Sequence, residues 1–190
     1  ADPKIPVFGI VTRLADQKGL DILSEICDEL LDLNVQLVLL GDGDKVYQTT
    51  FKNVAARHPK NASVTIGFSQ QQAHAIYAGA DFFLMPSYYE PCGLSQMISM
   101  RYATVPIVRS TGGLRDTVID VDEEPLRGNG FVFEGSSPEA LMKAIRRALK
   151  AYGDPRRLLA IRKRGMRGDY SWKVSAGHYK DYYQSVWRRR

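Results

Sequence analysis

Five short apolar runs, each followed by a polar connection and then a stretch of helical spacing, restrict this chain to very few folds. The runs span residues 5–11 (with Val7, Phe8, Ile10 and Val11), 36–40, 63–67, 82–85 and 105–108. Continuous apolar runs of this length suit strands buried on both faces. After the first run, Leu23, Ile26, Cys27, Leu30 and Leu31 recur at the three-and-four spacing of one buried helical stripe, with Asn34 as its stop. Strand–helix units in series with short connections predict an α/β fold: a Rossmann-like, doubly wound parallel sheet of about six strands with helices on both faces. A last strand is expected at Phe131–Phe133, after a polar segment 120–129 that reads as a surface loop. A helix then starts at Ser137-Pro138-Glu139, by hydroxyl cap and first-turn proline, and ends at Gly153-Asp154-Pro155. Trp172, Ala176, Tyr179, Tyr183, Val186 and Trp187 fall on one side of a final, unusually aromatic helix, a C-terminal tail whose face needs a partner surface.

The 190 residues, 44% of them hydrophobic, are enough for one domain with a sizeable core and too few for a second, so residues 1–190 are read as a single unit. Two cysteines, Cys27 and Cys92, make no disulfide framework and no metal-ligand spacing, which suits a reducing compartment. No apolar run approaches the roughly eighteen residues of a membrane span, and the first residues carry no signal pattern. A soluble, cytoplasmic protein is expected, without a membrane partner.

Charge is unevenly placed. Residues 1–140 carry 11 basic and 18 acidic side chains, whereas residues 141–190 carry 15 and 3. A basic tail with Arg162-Lys163-Arg164 and Arg188-Arg189-Arg190 invites a nucleic-acid reading, but late-helix cations more often stay solvated or dock on acidic neighbours, so no nucleic-acid partner is expected.

Chemistry concentrates in residues 85–117. There a strand leads into Pro86-Ser87-Tyr88-Tyr89-Glu90-Pro91-Cys92-Gly93-Leu94-Ser95-Gln96, a helix, a second strand, and Ser110-Thr111-Gly112-Gly113-Leu114. Glu90 sits in a loop that opens a helix, so free N–H groups near Leu94 and Ser95 offer a place for an anion beside a carboxylate able to accept from hydroxyls. A nucleotide-sugar has both parts. Arg13 and Lys18 fall on the first strand-to-helix connection, the side where ligands collect in open parallel sheets; they fit either a phosphate site or solvent-facing loop charges. Phe68, at the exit of the third strand, fits either stacking on a nucleobase or closing the core. The glycines of Gly41-Asp42-Gly43-Asp44 permit close backbone approach to a ligand, and Asp44 reads as a helix cap rather than part of a metal site. His58, His74 and His178 are scattered and read as structural or exposed. No Gly-x-Gly-x-x-Gly follows the first strand, and neither a P-loop nor a Gly-x-Ser-x-Gly elbow occurs.

Several of these motifs together, Thr12-Arg13-Leu14 with Gln17-Lys18-Gly19-Leu20-Asp21, Glu90-Pro91-Cys92-Gly93-Leu94, and Ser110-Thr111-Gly112-Gly113-Leu114 with Asp116-Thr117-Val118, closely resemble bacterial glycogen synthases and plant starch synthases. Gly79-Ala80-Asp81 and Ser171-Trp172 extend the resemblance over nearly the whole chain. It implies the C-terminal, donor-binding half of a GT-B glycosyltransferase that transfers glucose from ADP-glucose to an α-1,4-glucan with retention, in the cytoplasm or, in a plant, the plastid. Carried onto this sequence, Arg13 and Lys18 would hold the diphosphate, Phe68 would stack on adenine, and Glu90 would contact the glucosyl hydroxyls near the Cys92 and Gly93 amides. The Leu94 and Ser95 amides would meet phosphate, and Thr111, Gly112 and Gly113 would form the neighbouring loop wall. Related retaining enzymes often carry a second glutamate where this chain has Ile98, which favours the synthase subfamily. No cofactor and no metal is implied. Residues 170–190 would pack on an N-terminal domain absent here, which also carries the acceptor, so the chain alone is expected to bind donor without full activity and to be open to dimerisation through its last helix. The alternatives are a UDP-sugar-dependent GT-B enzyme and a non-catalytic nucleotide- or glucan-binding module.

Overall fold

The first strand runs further than its apolar residues do. In the computed structural model, which describes residues 4–188, β1 (Val7–Leu14) continues through Thr12 and Arg13, because its partner β2 (Gln36–Gly43) supplies a parallel register out to Leu14↔Gly43. Arg13 is therefore the penultimate residue of a strand rather than part of a loop. Gly41 and Gly43 also serve this pairing: a Cβ at either would overlap the Thr12 or Leu14 carbonyl oxygen, so both glycines accommodate β1. Asp44 occupies the N-cap position of α2 (Lys45–Arg57), yet its carboxylate caps no N–H; the neighbouring Asp42 is the local acceptor, from Gly43 N–H at 2.8 Å and Gln48 Nε2 at 3.1 Å.

The remaining elements are α1 (Leu20–Leu31), preceded by a 3-10 turn Asp16–Lys18, then β3 (Ala62–Ile66), α3 (Gln70–Gly79), β4 (Phe82–Met85), α4 (Ser95–Arg101), β5 (Val105–Arg109), α5 (Gly112–Thr117), β6 (Phe131–Phe133), α6 (Pro138–Tyr152), α7 (Pro155–Arg167) and α8 (Trp172–Trp187). All six strands are parallel, in the order β3-β2-β1-β4-β5-β6. The expected sheet is present, with six strands and helices on both faces.

Side chains alternate across the pleat, and the alternation builds two cores. Phe82 and Leu84 of β4 join Phe8, Ile10, Leu37, Leu39 and Ile107 in a large core under α1, α2 and α6. Phe83 and Met85 join Leu40, Val108, Tyr77, Met100 and Leu114 in a smaller one under α3, α4 and α5. Ser137 caps α6 by accepting from Ala140 N–H at 3.2 Å, and Pro138 follows it as expected.

Two features depart from the sequence pattern. The Arg-rich stretch after Gly153 forms α7, capped by Asp154 accepting from Arg156 and Arg157 N–H at 3.1 Å each, and it buries Leu158, Ile161 and Gly165. The polar segment 120–129 is pinned at its ends, with Asp120 and Asn129 buried. The basic final third docks on the acidic remainder: Arg146 pairs with Glu29, Arg147 with Asp120 and Asp122, Arg157 with Asp122, and Arg162 with Asp81. No helix among the described residues is long and apolar enough to cross a membrane. Of α8, no residue is buried.

Candidate active-site cleft

The strand order reverses between β1 and β4, and at that point the connections leaving their carboxyl ends diverge and leave a crevice. Lys18 reaches the crevice from the turn after β1, and Glu90 from the loop after β4. Their side chains meet, Lys18 Nζ donating to Glu90 Oε2 at 2.6 Å, although they are 72 residues apart. Ser87 Oγ donates to the same oxygen at 3.3 Å, while Glu90 Oε1 accepts nothing from the described residues. Glu90 is 9% exposed, so its charge is largely withdrawn from bulk water yet left with one oxygen to offer.

The two loops are fastened to each other through backbone. Tyr88 N–H donates to Gln17 O at 2.9 Å, and Gln17 Nε2 donates to Tyr89 O at 2.8 Å. Gly19, with φ +63°, lies so close to the Pro86 carbonyl that a Cβ there would overlap it. Arg109, at the end of β5, donates from Nε to Ser87 O at 2.8 Å and from Nη2 to Tyr88 O. Tyr88 Oη donates to Asp21 Oδ2 at 2.6 Å; that hydrogen bond, with burial, pushes the phenol up to about 12, so it stays a donor throughout the physiological range.

Thr111, Gly112 and Gly113 stand behind this loop. Gly113 N–H donates to Glu90 O at 3.0 Å, and Thr111 Oγ1 lies 3.5 Å from Tyr88 O. A Cβ on Gly112 would overlap the Glu90 carbonyl oxygen and one on Gly113 the Cys92 carbonyl oxygen, so only glycines let α5 approach this closely. These three residues shape the loop and do not line the crevice.

The crevice has two adjoining parts. A narrow one of about 50 Å³ is lined by Lys18, Ser87, Glu90, Gly93, Leu94 and Ser95. A broad one of about 610 Å³ extends from it past Arg13, Asp42, Gly67 and Phe68 toward Tyr77 and Gln70, sharing Val11, Thr12 and Ser95 with the first. Among the described residues the Arg13 side chain hydrogen-bonds only to Gln17 Oε1, at 3.4 Å, so most of its guanidinium is available. Phe68 is 88% exposed and closes no core, which removes one of its two readings. Tyr77 Oη donates to Ser95 Oγ at 3.0 Å and ties α3 to the start of α4. Cys92 is exposed on the loop beside Glu90 and lines neither part.

Arg13, Lys18, Phe68, Glu90, Gly93, Leu94 and Ser95 are thus gathered around one cleft from three separate stretches of chain. Gln17, Ser87 and Tyr88, which stand in the quoted motifs without an assigned role, and Arg109, which lies outside them, brace it through contacts of 20 or more residues' separation, which no local pattern announces. A groove of about 720 Å³ between α1 and α6 is larger, but it is lined by surface charges such as Glu25, Glu29, Arg146 and Lys150 and gathers no braced loop. No group of three or more His, Cys, Asp or Glu placed to hold a metal ion occurs among the described residues.

Comparison with known proteins accords with this geometry. A glycogen synthase of Syntrophotalea carbinolica is 47% identical over 185 residues, and one of Anaeromyxobacter sp. (strain K) is 50% identical over 184; each alignment takes in 97% of this chain and 38% of the relative. The chain thus spans well under half the length of these relatives. Among solved structures, the catalytic domain of starch synthase IV from Arabidopsis thaliana, bound to ADP and acarbose, superposes with a TM-score of 0.88 at 34% identity over 97% of this chain and 39% of its own. The family model of glycosyl transferases group 1 matches residues 1–164, and the chain belongs to that family.

Proposed function

We propose that this chain is the donor-binding part of an ADP-glucose-dependent glycogen or starch synthase. The observation that carries the reading is the pairing of Lys18 with Glu90 at the strand-order reversal, at one end of a cleft that reaches exposed Phe68 at the other. A nucleotide-sugar has the matching sequence of parts. The base stacks on Phe68, the diphosphate meets Arg13, Lys18 and the amides near Leu94 and Ser95, and the glucosyl hydroxyls donate to Glu90. Identity near 50% to glycogen synthases and the ADP seen in the starch synthase neighbour support adenine as the base.

Breaking the glucosyl–phosphate bond puts negative charge on the leaving oxygen and positive charge on the anomeric carbon. Cations already held beside the diphosphate stabilise the first without reorganising, an arrangement whose removal costs on the order of 3 kcal/mol per donor in comparable sites. The carboxylate of Glu90 stabilises the second. Among the described residues Glu90 is the one carboxylate lining the narrow end, with Asp42 in the broad part, so a covalent double displacement with paired acids beside the sugar is disfavoured, and transfer on the face of the leaving phosphate, with retention, fits better. When donor binds, Lys18 exchanges its partner Glu90 for phosphate in whole or part, which frees Glu90 Oε2 for the sugar.

The acceptor glucan and full turnover are assigned to the part of the longer relatives that this chain does not span, and the aromatic face of α8 to contact with that part; the compartment is read as cytoplasmic. Titration calorimetry with ADP, ADP-glucose and UDP tests the donor assignment: ADP compounds bind and UDP competes poorly. UDP binding of equal or greater strength would move the reading to a UDP-sugar transferase. In the longer protein, Glu90→Gln keeps donor binding and loses turnover; unchanged turnover would remove Glu90 from the reaction. The 190 residues alone bind donor without elongating glucan.

A further inference from the structure

Gln96, the second residue of α4, is fully buried, and its amide is committed in an unusual direction. Nε2 lies 2.9 Å from Gly93 O, 3.2 Å from Cys92 O and 3.0 Å from Thr117 Oγ1, while Oε1 is buried with no partner. Turning the amide over would offer Oε1 to the Thr117 hydroxyl, but it would also set an oxygen against two carbonyls. The Gln96 amide therefore keeps an orphan acceptor, which native interiors rarely do without a reason.

The reason lies on the other side of the loop. Across a planar trans peptide the carbonyl and the following N–H point in opposite directions, and no peptide here is cis. Drawing the Cys92 and Gly93 carbonyls inward onto Gln96 turns the Gly93 and Leu94 N–H groups outward. Both residues line the narrow end of the cleft beside Lys18 and Glu90, and neither N–H donates to a described residue. Gly93 is matched to this: at φ +69°, its missing Cβ would stand 2.5 Å from Gln96 Oε1. Thr117 Oγ1 donates onward to Gly113 O at 2.6 Å, so the same amide is anchored to α5, whose Gly113 N–H holds Glu90 O.

We infer that Gln96 is a positioning residue: its buried amide, anchored by Thr117, aims the Gly93 and Leu94 N–H groups into the cleft as a fixed pair of donors for the anionic end of the ligand. This rests on the nucleotide-sugar reading above, and the test separates the two. Calorimetry on the 190-residue chain measures affinity for ADP and for adenosine, which lacks the phosphates. In Gln96→Met, of similar size but without N–H donors, ADP affinity falls roughly tenfold, as expected for misaligned hydrogen bonds to a charged acceptor, while adenosine affinity changes by less than about twofold. Thr117→Val shifts the ADP-to-adenosine ratio the same way, and Thr117→Ser, which keeps the hydroxyl, restores it. A general loss of structure would weaken both ligands together. Should Gln96→Met fail to melt cooperatively, the Thr117 pair carries the comparison. An unchanged ratio in folded variants overturns the role of Gln96; a wild-type chain that binds ADP no better than adenosine overturns the diphosphate site itself, and this role with it.

Discussion

Two of the ion pairs that join distant parts of this chain are built for opposite ends. Asp120, buried just after α5 at the start of the polar segment that leads to β6, meets Arg147 of α6, and every acceptor is used: Val132 N–H donates to Oδ2 at 2.6 Å, Asp122 N–H to Oδ1 at 2.9 Å, and Arg147 also donates to Val132 O at 3.1 Å and to Asp122 at 2.6 Å. Phe131 lies under the guanidinium, its ring centroid 5.5 Å from Cζ. Glu90 and Lys18 are about as secluded, yet Glu90 Oε1 and most of the Lys18 donor capacity face a cleft. A saturated pair fastens helix to sheet; an unsaturated one stores charge for something that arrives later. Seclusion alone does not tell the two apart, but counting unused lone pairs and protons does.

Substitutions sharpen the contrast. Asp120→Ala leaves Arg147 short of its buried partner and strands the Val132 N–H, and should lower the unfolding free energy by about 3 kcal/mol in denaturant melts, while ADP affinity of the folded fraction stays put. Lys18→Met should reverse the pattern. ADP binding weakens roughly thirtyfold, about 2 kcal/mol, with a smaller change in stability, because Ser87 still donates to Glu90 and its other oxygen faces the cleft. Phe68→Ala, at an exposed site, should leave stability within about 0.5 kcal/mol and reduce ADP affinity by roughly fivefold through lost stacking. The smallest effect concerns a third pair, fully at the surface. Hydrogen bonds from Arg57 and then His58 hold the Asp28 carboxyl below its usual range, so its contribution is present above the unfolded value near pH 4 and is lost as pH falls through the lower folded value. Asp28→Asn should remove that acid-limb dependence, at a cost of a few tenths of a kcal/mol. An Asp120→Ala chain as stable as wild type, or a Lys18→Met chain that binds ADP normally, would erase the distinction.

The sheet was legible because its signal is local. Phe82–Met85 and Phe131–Phe133 were bounded correctly, and Ser137-Pro138 marked α6, since apolar runs and caps act within a few residues. Strand ends were less so: β1 and β2 continue past their apolar residues because each supplies the other's hydrogen bonds, a fact neither segment carries alone. The α7 helix was missed because its buried stripe is only Leu158, Ile161 and Gly165 among arginines. The segment 120–129 looked like open loop because its anchor is a carboxylate, and polarity counts against burial until Arg147 is brought beside it. Within the cleft, the motif residues Arg13, Lys18 and Glu90 could be named in advance, whereas Gln96 could not. A buried glutamine in an amphipathic stretch has no signature until the carbonyls it holds are seen.

The bare sixteen-residue α8 has a consequence for any measurement on this chain. A helix that short, with no buried side chain, lies near the margin of what water permits, whereas the sheet melts as a unit. Heating should accordingly give two events of unequal sharpness, an early, broad loss of helical ellipticity at the C-terminal end and a later, steep collapse of the rest. Amide exchange would show the same division residue by residue, fast from Trp172 onward and slow in β1 and β4.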